Sequence, residues 1–246
     1  MLETLVRKAN RAGLGRGRAK LIYEFLIVDD HPLYRAALRD AVAMACPESA
    51  FFEADCVAGL LDTLERHSHA DLLLLDLNLP GAYGFSALAH LRGSHPELPV
   101  IVVSALDDRK TVRQALAFGA QGFISKSATA DRIGRSVQAL LRGDNIQAAG
   151  SVLDTEPELG DTALEMAQRL AQLTGQQFRV FGMLCAGKLN KQIAHELDVT
   201  EATVKAHMTA IMRKLGVANR TQAALLASHL LTDPNDLVPP PEEHEG

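Results

Sequence analysis

The sequence predicts a chain in two parts: an α/β domain built on a five-stranded parallel sheet with helices on both faces, then a small all-α domain of four helices. Three features support this. Five short apolar runs alternate with helical patterns between residues 21 and 143, the order expected of parallel strands joined by crossover helices. The runs are apolar throughout, as strands covered on both faces must be, and "LLLL" at 72–75 is the plainest case. Beyond a stretch with no Lys or Arg at 144–168, only helical patterns remain.

Taken in order, "LIYEFLIV" (21–28) reads as the first strand. Pro32 then stands where a helix's first turn tolerates it, ahead of the helical "LYRAALRDAVAMA". "AFFEAD" (50–55) is the second strand and "VAGLLDTLERH" its helix. "DLLLLD" (71–76) is the third, followed by "GFSALAHLRGSHP", which stops near Pro96. "PVIVVSA" (99–105) is the fourth, followed by "TVRQALAFG", where Gly119 is a natural stop. "AQGFIS" (120–125) is the fifth, and "ADRIGRSVQALLRG" closes the unit. In the back half, Thr174 with Gln177 three residues on forms a capping-box pattern, and Gly187 can end that helix. A short helix starts at Asn190, "DVTE" makes a tight turn with Thr200 as N-cap, and a longer helix, "EATVKAHMTAIMRKLG", follows. Its Val204, Ile211 and Leu215 share an inner face, while Lys205, Thr209 and Met212 step around the outer one. Two helices joined by a tight turn, the second turning basic and polar groups outward, fit a helix-turn-helix.

Composition sets the bounds. The 246 residues are 47% hydrophobic and 22% charged, ordinary for a globular protein. No apolar run is long enough to span a membrane. The basic N-terminus lacks the apolar centre of a secretory signal. Cys46, Cys56 and Cys185 are scattered, with no CxxC, so neither a disulfide framework nor a thiolate metal site is expected, and a reducing cytoplasm is. The net charge of −5 conceals a pattern. Residues 1–20 carry about +5, residues 144–168 about −6 and residues 172–231 about +4 by formal count. The expected organisation is a basic extension (1–20), the α/β domain (21–143), an acidic linker (144–171) with a helix at 162–173, the helical domain (172–233) and an acidic, Pro-rich tail (234–246).

In a parallel sheet, ligands bind at the carboxyl ends of the strands. There the sequence puts Asp29, Asp30 and His31 after the first strand, Asp76 on the third, Ser104 on the fourth and Lys126 after the fifth. Singly, each has an ordinary explanation as a helix-end acid, a turn residue, a cap or a solvated lysine. Together they converge on one rim. Three carboxylates in one place repel one another unless a cation sits among them, and an oxygen-only set suits Mg²⁺. A carboxylate beside Mg²⁺ and a lysine can attack a phosphoryl group, because both cations neutralise the transferring oxygens. Ser104 can donate a hydrogen bond to the product.

These residues make 21–142 resemble the receiver domain of two-component response regulators, a flavodoxin-like fold. "DLNLPGAYG" matches the family's D-x-x-x-P-x-x-x-G spacing. The resemblance implies that Asp76 is the phosphorylated residue, and that Asp29, Asp30, Asp76 and the backbone carbonyl of Asn78 hold Mg²⁺. Ser104, followed by the small Ala105, then matches the switch hydroxyl, Phe123 the switch aromatic and Lys126 the family's lysine. The segment "GKLNKQIAHELDVTEATVKAHMTAIMRKLGVANRTQA" resembles the LuxR-type output domain. By that resemblance the helix from 201 to 215 enters the major groove, with Lys205, Ala206 and Thr209 at DNA-contacting positions. Lys191 and Arg220 lie nearby as backbone or structural contacts, and the last helix (220–231) pairs two subunits. The family opens this domain with L-T-x-R-E; here Gln177 stands at the acidic position, which removes any ion pair with Arg220. The leader before Leu21 has no counterpart, and reads as a basic arm or an early translation start.

The resulting expectation is a cytoplasmic, non-enzymatic transcriptional regulator of the NarL/FixJ type with no membrane association. A sensor histidine kinase would phosphorylate Asp76, and a homodimer would bind promoter DNA. Two alternatives are weaker. A haloacid-dehalogenase-type phosphatase wants D-x-D, and Asn78 occupies the second position. A LuxR-type regulator sensing a small molecule would not need the Asp29, Asp30, Asp76 and Lys126 set.

Overall fold

The computed structural model describes residues 23–144 and 161–228. The expected basic extension, the acidic tail and most of the acidic linker lie outside the described residues. Strands β1 (Glu24–Val28), β2 (Ala50–Ala54), β3 (Leu72–Asp76), β4 (Val100–Ser104) and β5 (Gly122–Ser125) alternate with helices α1 (Pro32–Ala45), α2 (Val57–Arg66), α3 (Ser86–Ser94), α4 (Arg109–Ala117) and α5 (Ala130–Arg142). All neighbouring strands are parallel, in the order β2-β1-β3-β4-β5. Each strand is shorter, at one end or both, than the run that announces it.

The side-chain alternation of the strands divides the core in two. Phe25, Ile27, Leu72, Leu74, Ile101, Val103 and Ile124 face one side, where they meet Leu38, Val42, Ile133 and Val137 of α1 and α5. Leu26, Val28, Leu73, Leu75, Val100, Val102 and Phe123 face the other, under α2, α3 and α4. Leu72 to Leu75 are all 0% exposed, and burying each such side chain contributes about 1.5–3 kcal/mol. Caps start the helices where the sequence supplies oxygen or sulfur acceptors. Asp108 accepts from the Lys110 and Thr111 amides, Thr129 from Arg132 and Cys56 from Gly59. Pro32 sits in the first turn of α1 as expected, behind His31 at the N-cap.

The second unit has helices α6 (Asp161–Leu170), α7 (Gly175–Cys185), α8 (Asn190–Glu196), α9 (Glu201–Leu215) and α10 (Arg220–Ser228). The capping box at Thr174 and Gln177 is present on both sides, and Thr200 caps α9. Gln177 also accepts a hydrogen bond from Lys214 Nζ at 2.6 Å. The partner of position 177 is therefore Lys214, while Arg220 donates to the carbonyls of Leu184 and Lys188 and ties α10 to the end of α7. Met212, which the spacing turned outward, is half-buried against the core.

The end of the acidic linker is a packed helix. Met166 and Leu170 of α6, with Leu173 beyond it, are buried, and α6 lies against both α3 and α9. Arg169 donates to the Leu215 carbonyl at 2.8 Å. The core under α2, α3 and α4 thus runs without a break into the helical domain. Two glycines permit the approach. A side chain at Gly93 of α3 would collide with Ala171, and one at Gly182 of α7 would collide with the Gly81 carbonyl in the loop after β3. Asp62 of α2 pairs with Arg179 of α7.

His90 of α3 is closed into this junction. It is 1% exposed and stacks on Phe178 of α7, with ring centroids 4.3 Å apart and planes 6° from parallel. Burial pulls its pKa down to about 4, against a hydrogen bond to the Leu170 carbonyl that raises it, with His95 adding to the fall. When the domains separate, the imidazole returns to an ordinary value of about 6.5. Between those values the separated form binds the proton and the docked form does not, so the contribution of His90 to docking is fully present above about pH 6.5 and is lost as pH falls toward about 4. At pH 5 the loss should be about 30-fold in the docking equilibrium. Energy transfer between labels on the two domains should report it, and His90→Phe, which keeps the stack without titrating, should remove most of the pH dependence.

Candidate functional site

Strand order fixes where the rim residues meet. From β1 the chain crosses to β2 on one side, then to β3 on the other, which opens a crevice at the carboxyl ends of β1 and β3. Val28 pairs with Leu75, so Asp29 emerges beside Asp76. Asp76 pairs with Val103, and Ser104 with Ser125, which brings Ser104 and Lys126 to the same end.

Asp29 and Asp76 are 1% and 2% exposed. Lys126 Nζ lies 2.8 Å from Asp29 Oδ2 and 2.7 Å from Asp76 Oδ2, joining them. The other Asp76 oxygen, Oδ1, accepts from the Asn78 amide at 3.3 Å. Burial raises the Asp76 pKa above its ordinary value; Lys126 and the Asn78 amide oppose this and Asp29 adds to it. Lys126 shows the converse: burial pulls its pKa down, but the hydrogen bonds and charges of Asp29 and Asp76 outweigh it, and the net direction is up.

Asp30 and His31 complete the rim. The His31 amide donates to Asp29 Oδ1 at 2.8 Å, and His31 Nδ1 lies 2.7 Å from Asp30 Oδ1. Ligand atoms of Asp29, Asp30, His31 and Asp76 all fall within 4.8 Å of one another. Three carboxylates against a single lysine leave an excess of negative charge that a divalent cation would offset, so the donor set fits a hard cation such as Mg²⁺. Asn78, two residues beyond Asp76, is exposed.

Ser104 is fully buried, and its Oγ accepts from the Leu106 amide at 3.2 Å. Phe123 is also buried, within the core on the α3 and α4 side. In this conformation the ring is already inside. Two neighbours of the rim escaped the sequence reading. Arg35 of α1 bonds the Asp29 carbonyl and Glu53 of β2. Tyr34 lies beneath Lys126, with Nζ 5.0 Å from its ring centroid. Both sit in the first turns of α1, and their nearness to the acidic pair in sequence was the available signal.

In the helical domain, α8 and α9 are joined by a tight turn in which Asp198 takes φ 51°. Lys205, Ala206 and Thr209 are exposed along α9, and the Thr209 hydroxyl donates to the Lys205 carbonyl at 3.0 Å. Lys191 and Arg220 share a cleft with Glu201, Met208 and Met212. The α/β domain meets this unit through α6 and α7, and Lys205, Ala206 and Thr209 remain open. Among the described residues, no helix is long and apolar enough to cross a membrane.

Comparison with known proteins agrees with this geometry. The family model for response regulator receiver domains matches residues 25–138, and that for bacterial regulatory proteins of the luxR family matches residues 171–227. The glycerol metabolism activator of Pseudomonas putida is 38% identical over 214 residues, spanning 85% of this chain and 96% of that protein. A probable transcriptional regulatory protein NarL of Mycobacterium tuberculosis is 32% identical over 202 residues, spanning 80% and 90%. The structure of RcsB from Salmonella enterica serovar Typhimurium, bound to a promoter in the presence of the phosphomimetic BeF3-, covers 85% of this chain and 98% of its own at 20% identity. Its TM-score of 0.50 is a likeness of fold. The chain belongs to the transcriptional response regulators that join a receiver domain to a LuxR-type DNA-binding domain.

Proposed function

We propose that Asp76 accepts a phosphoryl group from a sensor histidine kinase, and that this controls promoter binding by a homodimer of the chain. The observation that carries the reading is the Lys126 bridge between Asp29 and Asp76, at the carboxyl ends of the two strands that flank the sheet's crevice.

In the transfer, an Asp76 oxygen forms a bond to phosphorus while the P–N bond to the kinase histidine breaks and the imidazole leaves with the electron pair. Asp76 suits the task because its strand is buried along its whole length, so the attacking oxygen is held still. Lys126 neutralises charge on the transferring oxygens. Asp29, Asp30, Asp76 and the Asn78 carbonyl would hold Mg²⁺, which supplies further positive charge beside those oxygens. The Ser104 hydroxyl can turn from the Leu106 amide to the new phosphoryl group. Phe123 lies in the core on the α3 and α4 side, and a second packing of its ring coupled to that turn would supply the bistable element a switch requires.

The loop after Asp76 also touches the output domain, through Gly81 against Gly182. This supports a direct route from the phosphorylated residue to the docking of the two domains. In DNA binding, Lys205, Ala206 and Thr209 would meet the major groove, with Lys191 on the backbone. Arg220 serves to hold α7 and α10 together, and α10 would pair two subunits in the dimer.

Asp76→Asn should abolish incorporation from acetyl phosphate in the presence of Mg²⁺; labelling of the variant at the wild-type level would move the phosphorylation site elsewhere. Lys205→Ala should weaken specific DNA binding by about 1–3 kcal/mol if the lysine reads a base. Footprinting at roughly physiological salt measures this, and undiminished protection by the variant would remove α9 from the DNA interface.

A further inference from the structure

Lys126 meets more than its two carboxylates. Its ammonium ends a long flexible stem rooted in the loop after β5, and a side chain of this kind has large rotamer freedom. Asp29 and Asp76 hold it from the strand side. From α1, the Tyr34 ring lies beneath the same nitrogen, 5.0 Å from centroid to Nζ, within the range where an aromatic face attracts a cation.

The Tyr34 hydroxyl shows which part of the residue is used. It is buried and has no hydrogen-bond partner among the described residues. A buried polar group without a partner is normally selected against, so the phenol oxygen does not explain an aromatic residue here. Burial, with Asp29 and Asp76 adding to it, lifts the Tyr34 pKa to about 12. The ring beneath Lys126 is therefore a neutral phenol, and what it offers the ammonium is its π-face.

We propose that Tyr34 is a positioning residue for phosphoryl transfer, its ring face holding the Lys126 ammonium between Asp29 and Asp76. The step it serves is the one in which an Asp76 oxygen bonds to phosphorus and the donor's leaving group departs with the electron pair. Displacing Lys126 leaves the charge on the transferring oxygens less well neutralised and slows that step. This rests on Asp76 being the phosphoacceptor.

The test uses the full-length protein, acetyl phosphate as donor and saturating Mg²⁺. The P–O bond to the acetyl group breaks and acetate leaves, so the rate of Asp76 labelling reads the chemistry without a kinase. Tyr34→Phe should label within about twofold of wild type, because it keeps the face and removes only the unpartnered hydroxyl. Tyr34→Leu should be slower by about five- to tenfold, the loss of one cation–π contact. Because Tyr34→Leu could also disturb packing, a series of mono-, di- and trifluorinated phenylalanines at position 34 provides the deciding measurement. Fluorine drains the π-face with little change of shape, and the labelling rate should fall stepwise along the series. A rate that stays flat along the series, or a Tyr34→Phe protein as slow as Tyr34→Leu, overturns the proposal. If the wild type does not label at Asp76, the phosphoacceptor assignment fails instead, and the two failures are distinct.

Discussion

Two carboxylates at the ends of adjacent strands, both out of water, can both stay ionised only if something positive stands between them. Lys126 does this for Asp29 and Asp76. Removing Lys126 from such a buried set would leave both carboxylates with uncompensated charge, which is strongly destabilising. The arrangement depends on the sheet: parallel register brings Asp29 beside Asp76, and the crossover at β1 leaves the space above them open. The strands supply rigidity, the loops supply reach, and the excess negative charge left at the rim suits it to a hard cation.

The same strand connects that rim to the rest of the chain. Beyond Asp76, the Pro80 carbonyl accepts from the Val57 amide at 3.1 Å, tying the loop to α2. One residue later, Gly81 meets Gly182 of α7. Only a few residues of chain separate the acidic rim from the domain junction. A change of charge at Asp76 therefore acts on a segment that is anchored at both ends, and a displacement there is passed on by packing.

Much of this was legible in the sequence, for a physical reason. Strands buried on both faces must be apolar along their length, so β1, β3 and β4 announce themselves, and parallel order forces their ends onto one side. From that alone Asp29, Asp30, Asp76, Ser104 and Lys126 could be gathered. Tyr34 could not, because in "LYRAALRD" it follows the spacing of any helical residue, and its partner arrives from the far end of the domain. The junction was equally hidden. His90 reads as one more polar residue in "ALAHLRG", and only the docking of α7 shows that it must be buried against Phe178. The acidic stretch read as a linker because charge dominates its composition, while the few apolar side chains at Met166, Leu170 and Leu173 decide where its end packs. Position 177 looked deprived of its charge, yet an amide oxygen is enough to accept from Lys214.

The outward-facing side of α9 has a consequence for how this molecule searches. Lys205, Ala206 and Thr209 are uncovered while the domains are docked. A helix that is already presented can meet the phosphate backbone by diffusion and slide along it without waiting for the domains to part. If α9 is the DNA-contacting helix proposed above, encounter frequency would be much the same for docked and released molecules, and the difference between them would appear in dwell time on a site, the quantity in which most affinity differences between related complexes reside. Under the proposed function, regulation of this form would leave the whole population sampling the chromosome and select which molecules stay.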